Sequence, residues 1–599
     1  MERKDIDKKY KWDLSAIYAN EDAFYADFSK AEKLIEEFPK YEKTMLSGAE
    51  QLYATLRARA DIELIIDTLW NYTFLSFATD TSDNKSQAAN AKVRSLAVKC
   101  DAATWFVSPY LIRLDSETIE SWLRECPKLE SFRRVIDKEL QRKPYTLSDE
   151  CEALMSKLGD VFGTHSNVRS IFANADLTFG KIKNAEGKTV QLTDANYVTF
   201  LMGGDRRVRR SAFKTVYKTY GQFANTFATM YDAAVRESCT LAAAKGFENA
   251  ITASTFGDEV TPEIYNNLID SVNRGLPALY DYYALKKEVL GLSELHLYDI
   301  YAPLIGSLDR TYPYEEAVDE VLEAVKIYGD EYYSVLKAGL TERGWVDVYP
   351  TKGKRGGAFS AGGPTTEPYI LLNYTETLND VSTLAHEAGH SMHSYFSTHF
   401  NEPHNSQYTI FVAEVASTVN ELLLSHKKLR ECESDDEKLY ILNQLMETYK
   451  GTLFRQTMFA EFERDMHARC ESGEPLTASS VNEYYYDLVK RYFGDGVVCD
   501  KEIAYEWMRI PHFYRNFYVY KYATCISAAS AIVKRIESEG ESYVGKYIDF
   551  LKCGGAKSPL DSLLVAGIDM RDPEVIAGAI EDFASAVKQF REIYKASRA

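Results

Sequence analysis

This 599-residue chain contains no run of eighteen apolar residues, so no segment is expected to span a membrane. Its opening stretch, MERKDIDKKYKWDLS, is charged and has no apolar core of a secretory leader, so export by that route is not expected. The nine cysteines are odd in number and scattered, with no C-x-x-C pair. They read as reduced thiols of a cytoplasmic protein, not as a disulfide framework or a thiolate metal site. Positive charge is in deficit, 70 Lys and Arg against 89 Asp and Glu, for a net charge of −19. That balance argues against nucleic acid as a partner. The basic run Arg206, Arg207, Arg209 and Arg210 falls in an expected helix and reads as a solvated face or as ion-pair partners for nearby acids. Neither a G-x-x-x-x-G-K-[ST] phosphate loop nor an internal repeat occurs.

Proline is scarce as well, sixteen residues in all, and apolar positions recur with helical spacing over long stretches. The expectation is a mostly α protein with helices over 21–38, 52–77, 85–114, 116–143 and 148–162. A β-hairpin is expected where runs 177–183 and 188–192 flank Asn184-Ala-Glu-Gly187. Helices then resume over 194–247, 262–290 and 314–342. The chain exceeds the usual size of one domain. We divide it into a helical amino-terminal domain, 1–195, which includes the hairpin, and a second domain, 196–599. Residues 353–364 are dense in glycine and precede an expected strand at 369–374. Such a loop and strand fit either an edge that holds extended peptide backbone or a plain surface loop.

The most informative residues follow directly. His386-Glu387-Ala388-Gly389-His390 spells H-E-x-x-H within an expected helix, 378–396. Residues four apart stack one turn above each other, so His386 and His390 can offer two imidazole nitrogens to one metal ion, with Glu387 close by as a base. A catalytic zinc usually takes a third protein ligand. The pattern H-E-x-x-H-x-x-G-x-x-H is not met, because His393 and Phe396 stand at its glycine and third-histidine positions. The next expected helix, 408–426, carries Glu414 and, seven residues on, Glu421; Glu414 packed beside the first helix would complete a His-His-Glu set. His393 shares the face of the two histidines and is assigned a supporting or packing role, since three successive turns of one helix cannot all reach one ion. His399 and His404 read as loop residues.

A second cluster lies at 510–524, where Tyr514, Tyr518 and Tyr522 recur every four residues and would line one helical face, with Tyr520 pointing elsewhere. An aromatic stripe is usually core, yet buried tyrosine hydroxyls need partners. A hydroxyl here, or the His512 N–H, could instead stabilise the oxyanion formed when water attacks an amide.

With these segments in hand, the chain resembles the M3 family of zinc metallopeptidases, in its oligoendopeptidase F branch, related to thimet oligopeptidase and neurolysin. The resemblance rests on Ile370-Leu-Leu-Asn-Tyr374, Asp380 to His393, Glu414-Val-Ala-Ser417, His512 to Thr524, and Ala566-Gly-Ile-Asp-Met570 with Pro573. Cys525 departs from it, standing where the branch usually has glycine. The resemblance implies a helical ellipsoid split by a deep channel, with a zincin-type core and a small β element. It implies one Zn2+ held by His386, His390 and Glu414, Glu387 as general base, and His512 with Tyr522, Tyr518 or Tyr520 on the substrate carbonyl, Tyr522 being favoured. The reading is a cytoplasmic zinc endopeptidase, an oligopeptidase cutting internal bonds of short unstructured peptides, in which the 196–599 domain is catalytic. The alternatives are a metallo-carboxypeptidase with the same zinc set and a catalytically silent helical peptide-binding protein.

Overall fold

Long helices need unbroken runs of backbone hydrogen bonds, and a chain this poor in proline supplies them. The computed structural model describes residues 2–159, 161–306, 308 and 310–598 and is mostly helical, with seven short strands among the described residues. No described helix is long and apolar enough to cross a membrane. By residue packing the chain forms two units, each gathered from three segments. One comprises Met1–Pro144, Arg310–Lys427 and Ile532–Ile568; the other comprises Tyr145–Asp309, Lys428–Ala531 and Asp569–Ala599. Segments from both sides of residue 195 therefore contribute within a single unit.

In the first unit, helices Glu21–Glu37, Ala49–Thr79 and Asn84–Thr104 pack through a core that includes Phe24, Leu52, Leu56, Leu69, Val93 and Leu96. The helix expected over 85–114 breaks after Thr104 and resumes at Val107–Arg113. That over 116–143 is split by a 3-10 turn starting at Pro127, a residue that cannot continue a helical ladder.

The strands, in chain order, are β1 (Lys181–Lys183), β2 (Thr189–Gln191), β3 (Leu295–His296), β4 (Val346–Asp347), β5 (Phe359–Ala361), β6 (Tyr369–Leu371) and β7 (Val497–Val498). In the first unit they form one sheet of order β4-β6-β5, with β4 parallel and β5 antiparallel to β6. All three residues of β6 are buried, as expected of a strand covered on both faces. Trp12, Leu75 and Ala78 pack with Tyr369 and Leu371 on one face. On the other, Ser360, paired with Ile370, meets the H-E-x-x-H helix through a 2.9 Å Ser360 Oγ···Ser391 Oγ hydrogen bond. The strand expected over 369–374 is shorter than its sequence pattern, and β5 arises inside the glycine-dense stretch that read as a loop.

The second unit holds helices Arg206–Gln222, Ala224–Ala244, Pro262–Val289, Asp435–Tyr449, Arg455–Glu471, Ala478–Phe493 and Glu574–Arg598. The expected hairpin is present as β1 and β2, closed by Asn184 and by Gly187 at φ +77. Three arginines of the basic run bind carboxylates: Arg206 and Arg209 both bind buried Asp299, at 2.9 and 3.0 Å, and Arg207 binds Asp205.

Candidate active site

A capping box starts the H-E-x-x-H helix, Leu378–Phe400. The Thr377 hydroxyl accepts from the Asp380 N–H, and the Asp380 carboxylate accepts from the Thr377 N–H. Helical spacing then brings the Nε2 atoms of His386 and His390 to 3.1 Å from each other. Glu387, next in the chain, is 5% exposed, and its Oε2 is buried with no hydrogen-bond partner among the described residues.

Glu414 arrives from a different place than a continuous helix over 408–426 would put it. The helix is interrupted: a short turn, Ile410–Ala413, ends at Glu414, and a new helix runs Val415–Glu431. At this break Glu414 Oε2 lies 3.3 Å from both His386 Nε2 and His390 Nε2. Close approach of the two helices is set at Gly389, where a Cβ would stand 2.5 Å from the Ala416 carbonyl oxygen. Asn420 pins the second helix to the first, donating to the Ala385 carbonyl at 3.2 Å while its own oxygen accepts from Tyr328. Ser417 Oγ donates to Glu414 Oε2.

Glu421, noted in the sequence only for its spacing, has a defined place. Its carboxylate lies 3.2 Å from His386 Nδ1 and accepts from Ser382. A carboxylate can only accept, so the Nδ1 proton belongs to this contact and Nε2 faces Glu414 and His390. The signal for Glu421 was its spacing, seven residues after Glu414 in the sequence. The signal for Gly389 was a glycine inside a strongly helical run.

The three converging atoms fit a metal ion. Four-coordinate zinc with bonds of about 2.0–2.1 Å has ligand atoms about 3.3–3.4 Å apart. His386, His390 and Glu414 present two nitrogens and an oxygen at 3.1–3.3 Å separations. The field at this point also favours positive charge. Burial opposes charge on His386, but Glu414 and Glu421 outweigh it and hold the imidazole well above its ordinary range. Burial likewise works against the Glu414 carboxylate, yet both imidazoles pull it well below the usual range. Glu387 goes the other way, its carboxyl raised chiefly by burial.

The neighbouring histidines have other tasks. His393 is buried, stacks on Tyr408 with centroids 3.7 Å apart, and is pushed down to about 3 by burial, so it packs as a neutral ring. His399 contacts the Tyr395 carbonyl, and His404 stacks on Phe132 while contacting the Ser131 carbonyl.

In the second unit, the structure corrects the single tyrosine-lined helix. Pro511–Tyr514 is a 3-10 turn, the chain then bends, and the helix begins at Tyr520. Phe517, at φ +53, makes the reversal. It is the bend, not helical spacing, that groups His512, Tyr518 and Tyr522, whose ring centroids are 5.5–6.3 Å apart. Tyr520 points away from them and donates to Asp258 at 3.1 Å. Tyr514 lies under the Arg169 guanidinium, 5.8 Å from the ring. Arg169 in turn donates to the Met508 and Arg509 carbonyls just before His512. Burial, followed by the charges of Arg515 and Arg169, lowers the His512 pKa, which favours a neutral ring with an N–H to donate.

Comparison with known proteins assigns the chain to a family. Residues 200–582 match peptidase family M3, and residues 111–179 match the amino-terminal oligopeptidase F family. Oligopeptidase PepF of Bacillus subtilis is 40% identical over 99% of this chain and 88% of its own length. The crystal structure of oligoendopeptidase-F from Enterococcus faecium superposes with a TM-score of 0.75 at 32% identity, covering 96% of this chain and 99% of that one. A Chlamydophila abortus protein superposes with a TM-score of 0.91 at 33% identity, over 99% of both chains. The chain belongs to peptidase family M3. It is a peptidase, and by its family a metallopeptidase.

Proposed function

We propose that this enzyme is a zinc-dependent endopeptidase that hydrolyses internal bonds of short, unstructured oligopeptides. The observation that carries the reading is the meeting of His386 Nε2, His390 Nε2 and Glu414 Oε2 at 3.1–3.3 Å, beside a Glu387 oxygen with no partner among the described residues. His386, His390 and Glu414 would hold the ion, with Glu421 orienting His386. Zinc, when bound, supplies Lewis acidity that polarises a carbonyl and makes water more acidic.

Glu387 Oε2 takes a proton from the attacking water and passes it to the leaving amine nitrogen. Its burial and lack of a competing partner suit that task. His512, with Tyr522 or Tyr518, donates hydrogen bonds to the carbonyl oxygen as charge develops there. The commitment of Tyr520 to Asp258 removes it from that group. Among the described residues β5 stands at the edge of its sheet, where an extended peptide would add as a further strand. The catalytic domain is read as 196–599, following the helical 1–195. Free thiols at all nine cysteines suit a reducing compartment, and we place the enzyme in the cytoplasm.

Mass spectrometry of a mixed peptide pool, with and without chelator, tests the proposal. Chelator-sensitive internal cuts are expected. Successive losses from a terminus would replace it with the carboxypeptidase reading, and no cleavage by metal-loaded protein would favour a peptide-binding role.

A further inference from the structure

The bend between His512 and Tyr522 needs an explanation, because a phenylalanine is an unfavourable residue at positive φ. Phe517 has a Cβ that crowds its own backbone in the left-handed region, which glycine or asparagine enters far more readily. Its side chain is fully buried, with its ring 4.5 Å from that of His467 and 5.7 Å from that of Tyr265. Its N–H donates to Glu463 Oε1 at 2.6 Å. Glu463 lies on helix Arg455–Glu471, is fully buried, and its other oxygen has no hydrogen-bond partner among the described residues. One residue earlier, the Asn516 carbonyl accepts from Ser254 Oγ at 3.2 Å.

A buried carboxyl with one partner is costly unless it performs a task. Its single hydrogen bond falls on the one residue of this bend that holds a strained backbone conformation. We infer that Glu463 is a positioning residue: by binding the Phe517 N–H it holds the reversal that sets His512, Tyr518 and Tyr522 side by side. The inference rests on the role proposed above for His512 and its tyrosines. Burial pushes the Glu463 carboxyl up to about 8, opposed by the Phe517 N–H and by Lys521. The protonated acid accepts this N–H through its carbonyl oxygen, and an amide would do the same.

The test compares Glu463→Gln with Glu463→Leu, each in the unaltered enzyme and in His512→Ala. Glu463→Gln keeps an acceptor and should stay within about threefold of the unaltered turnover. Glu463→Leu should lose about 10- to 100-fold in kcat, the penalty of misplacing groups by an ångström, with metal content unchanged. In the His512→Ala background the leucine substitution should cost clearly less than in the unaltered enzyme, since one of the groups it positions is gone. Equal losses in both backgrounds, or none in either, would overturn the inference. Full turnover in His512→Ala alone would instead overturn the assignment of His512, a separate outcome. Should Glu463→Leu not fold, hydrogen exchange of the unaltered enzyme decides: the Phe517 amide should be strongly protected, and exchange at the rate of an open loop would end the proposal.

Discussion

Gly389 and Ala416 touch so closely that a methyl group on Gly389 would stand 2.5 Å from the Ala416 carbonyl oxygen and 2.6 Å from Ser417 Cα. These two residues set the separation of the helix bearing the histidines from the one that begins just after Glu414. In an exposed helix, Gly→Ala stabilises by about 1 kcal/mol. Here Gly389→Ala should do the reverse, forcing the helices apart and drawing Glu414 from the histidines. A drop in zinc affinity of about tenfold or more is expected, in the range seen when the supports of metal ligands are disturbed. Isothermal titration with zinc checks it, and unaltered affinity would mean that the helix spacing does not govern the site.

Glu387→Gln preserves shape and removes the base. Zinc content should remain at the unaltered value while turnover falls by about 10²–10⁴-fold, the usual contribution of a general base. Steady-state kinetics together with metal analysis separate the two effects. Substantial residual activity would remove Glu387 from the proton-transfer role.

Glu421→Ala leaves the three ligands intact but releases His386 Nδ1. Metal affinity should fall by about 10- to 100-fold, with saturating zinc restoring most of the activity. An unchanged affinity would make the 3.2 Å contact incidental.

Glu463 also predicts a pH dependence of stability. Its folded-state carboxyl, at about 8, is raised above the ordinary 4.5. Its contribution is therefore complete below about pH 4.5, declines as the unfolded chain ionises, and is lost by about pH 8. The slope is at most ~1.4 kcal/mol per pH unit across that window. Lys521 faces the group and narrows the window; Tyr231 and Tyr265, also nearby, stay neutral throughout it. Glu463→Gln cannot ionise, so its melting temperature should fall less than that of the unaltered enzyme between pH 5 and 8. Parallel curves would refute the buried-acid assignment.

What the sequence revealed follows the range of the interactions involved. Features set by local spacing were legible: the paired histidines one turn apart, the capped helix that carries them, and the hairpin around Asn184 and Gly187. Features set by contacts between distant segments were not. Glu414 was found as a residue, but the helix break at which it sits, with Gly389 from twenty-five residues earlier packed close beside Ala416, was not. The four-residue recurrence of Tyr514, Tyr518 and Tyr522 suggested a helix. The clamp from Glu463, more than fifty residues upstream, turns that segment into a bend instead. Strand β5 was hidden because three residues among glycines show no period, and its pairing with β6 supplies the order.

Zinc reconstitution of the chelated enzyme, with internal cleavage of a peptide followed against zinc added, tests the central claim most directly. Activity should rise in proportion and level off at one zinc per chain, whereas Glu414→Ala should need far more zinc to reach any plateau. Full cleavage by metal-free enzyme, or identical titrations for Glu414→Ala and the unaltered chain, would contradict the account of a single zinc held by His386, His390 and Glu414.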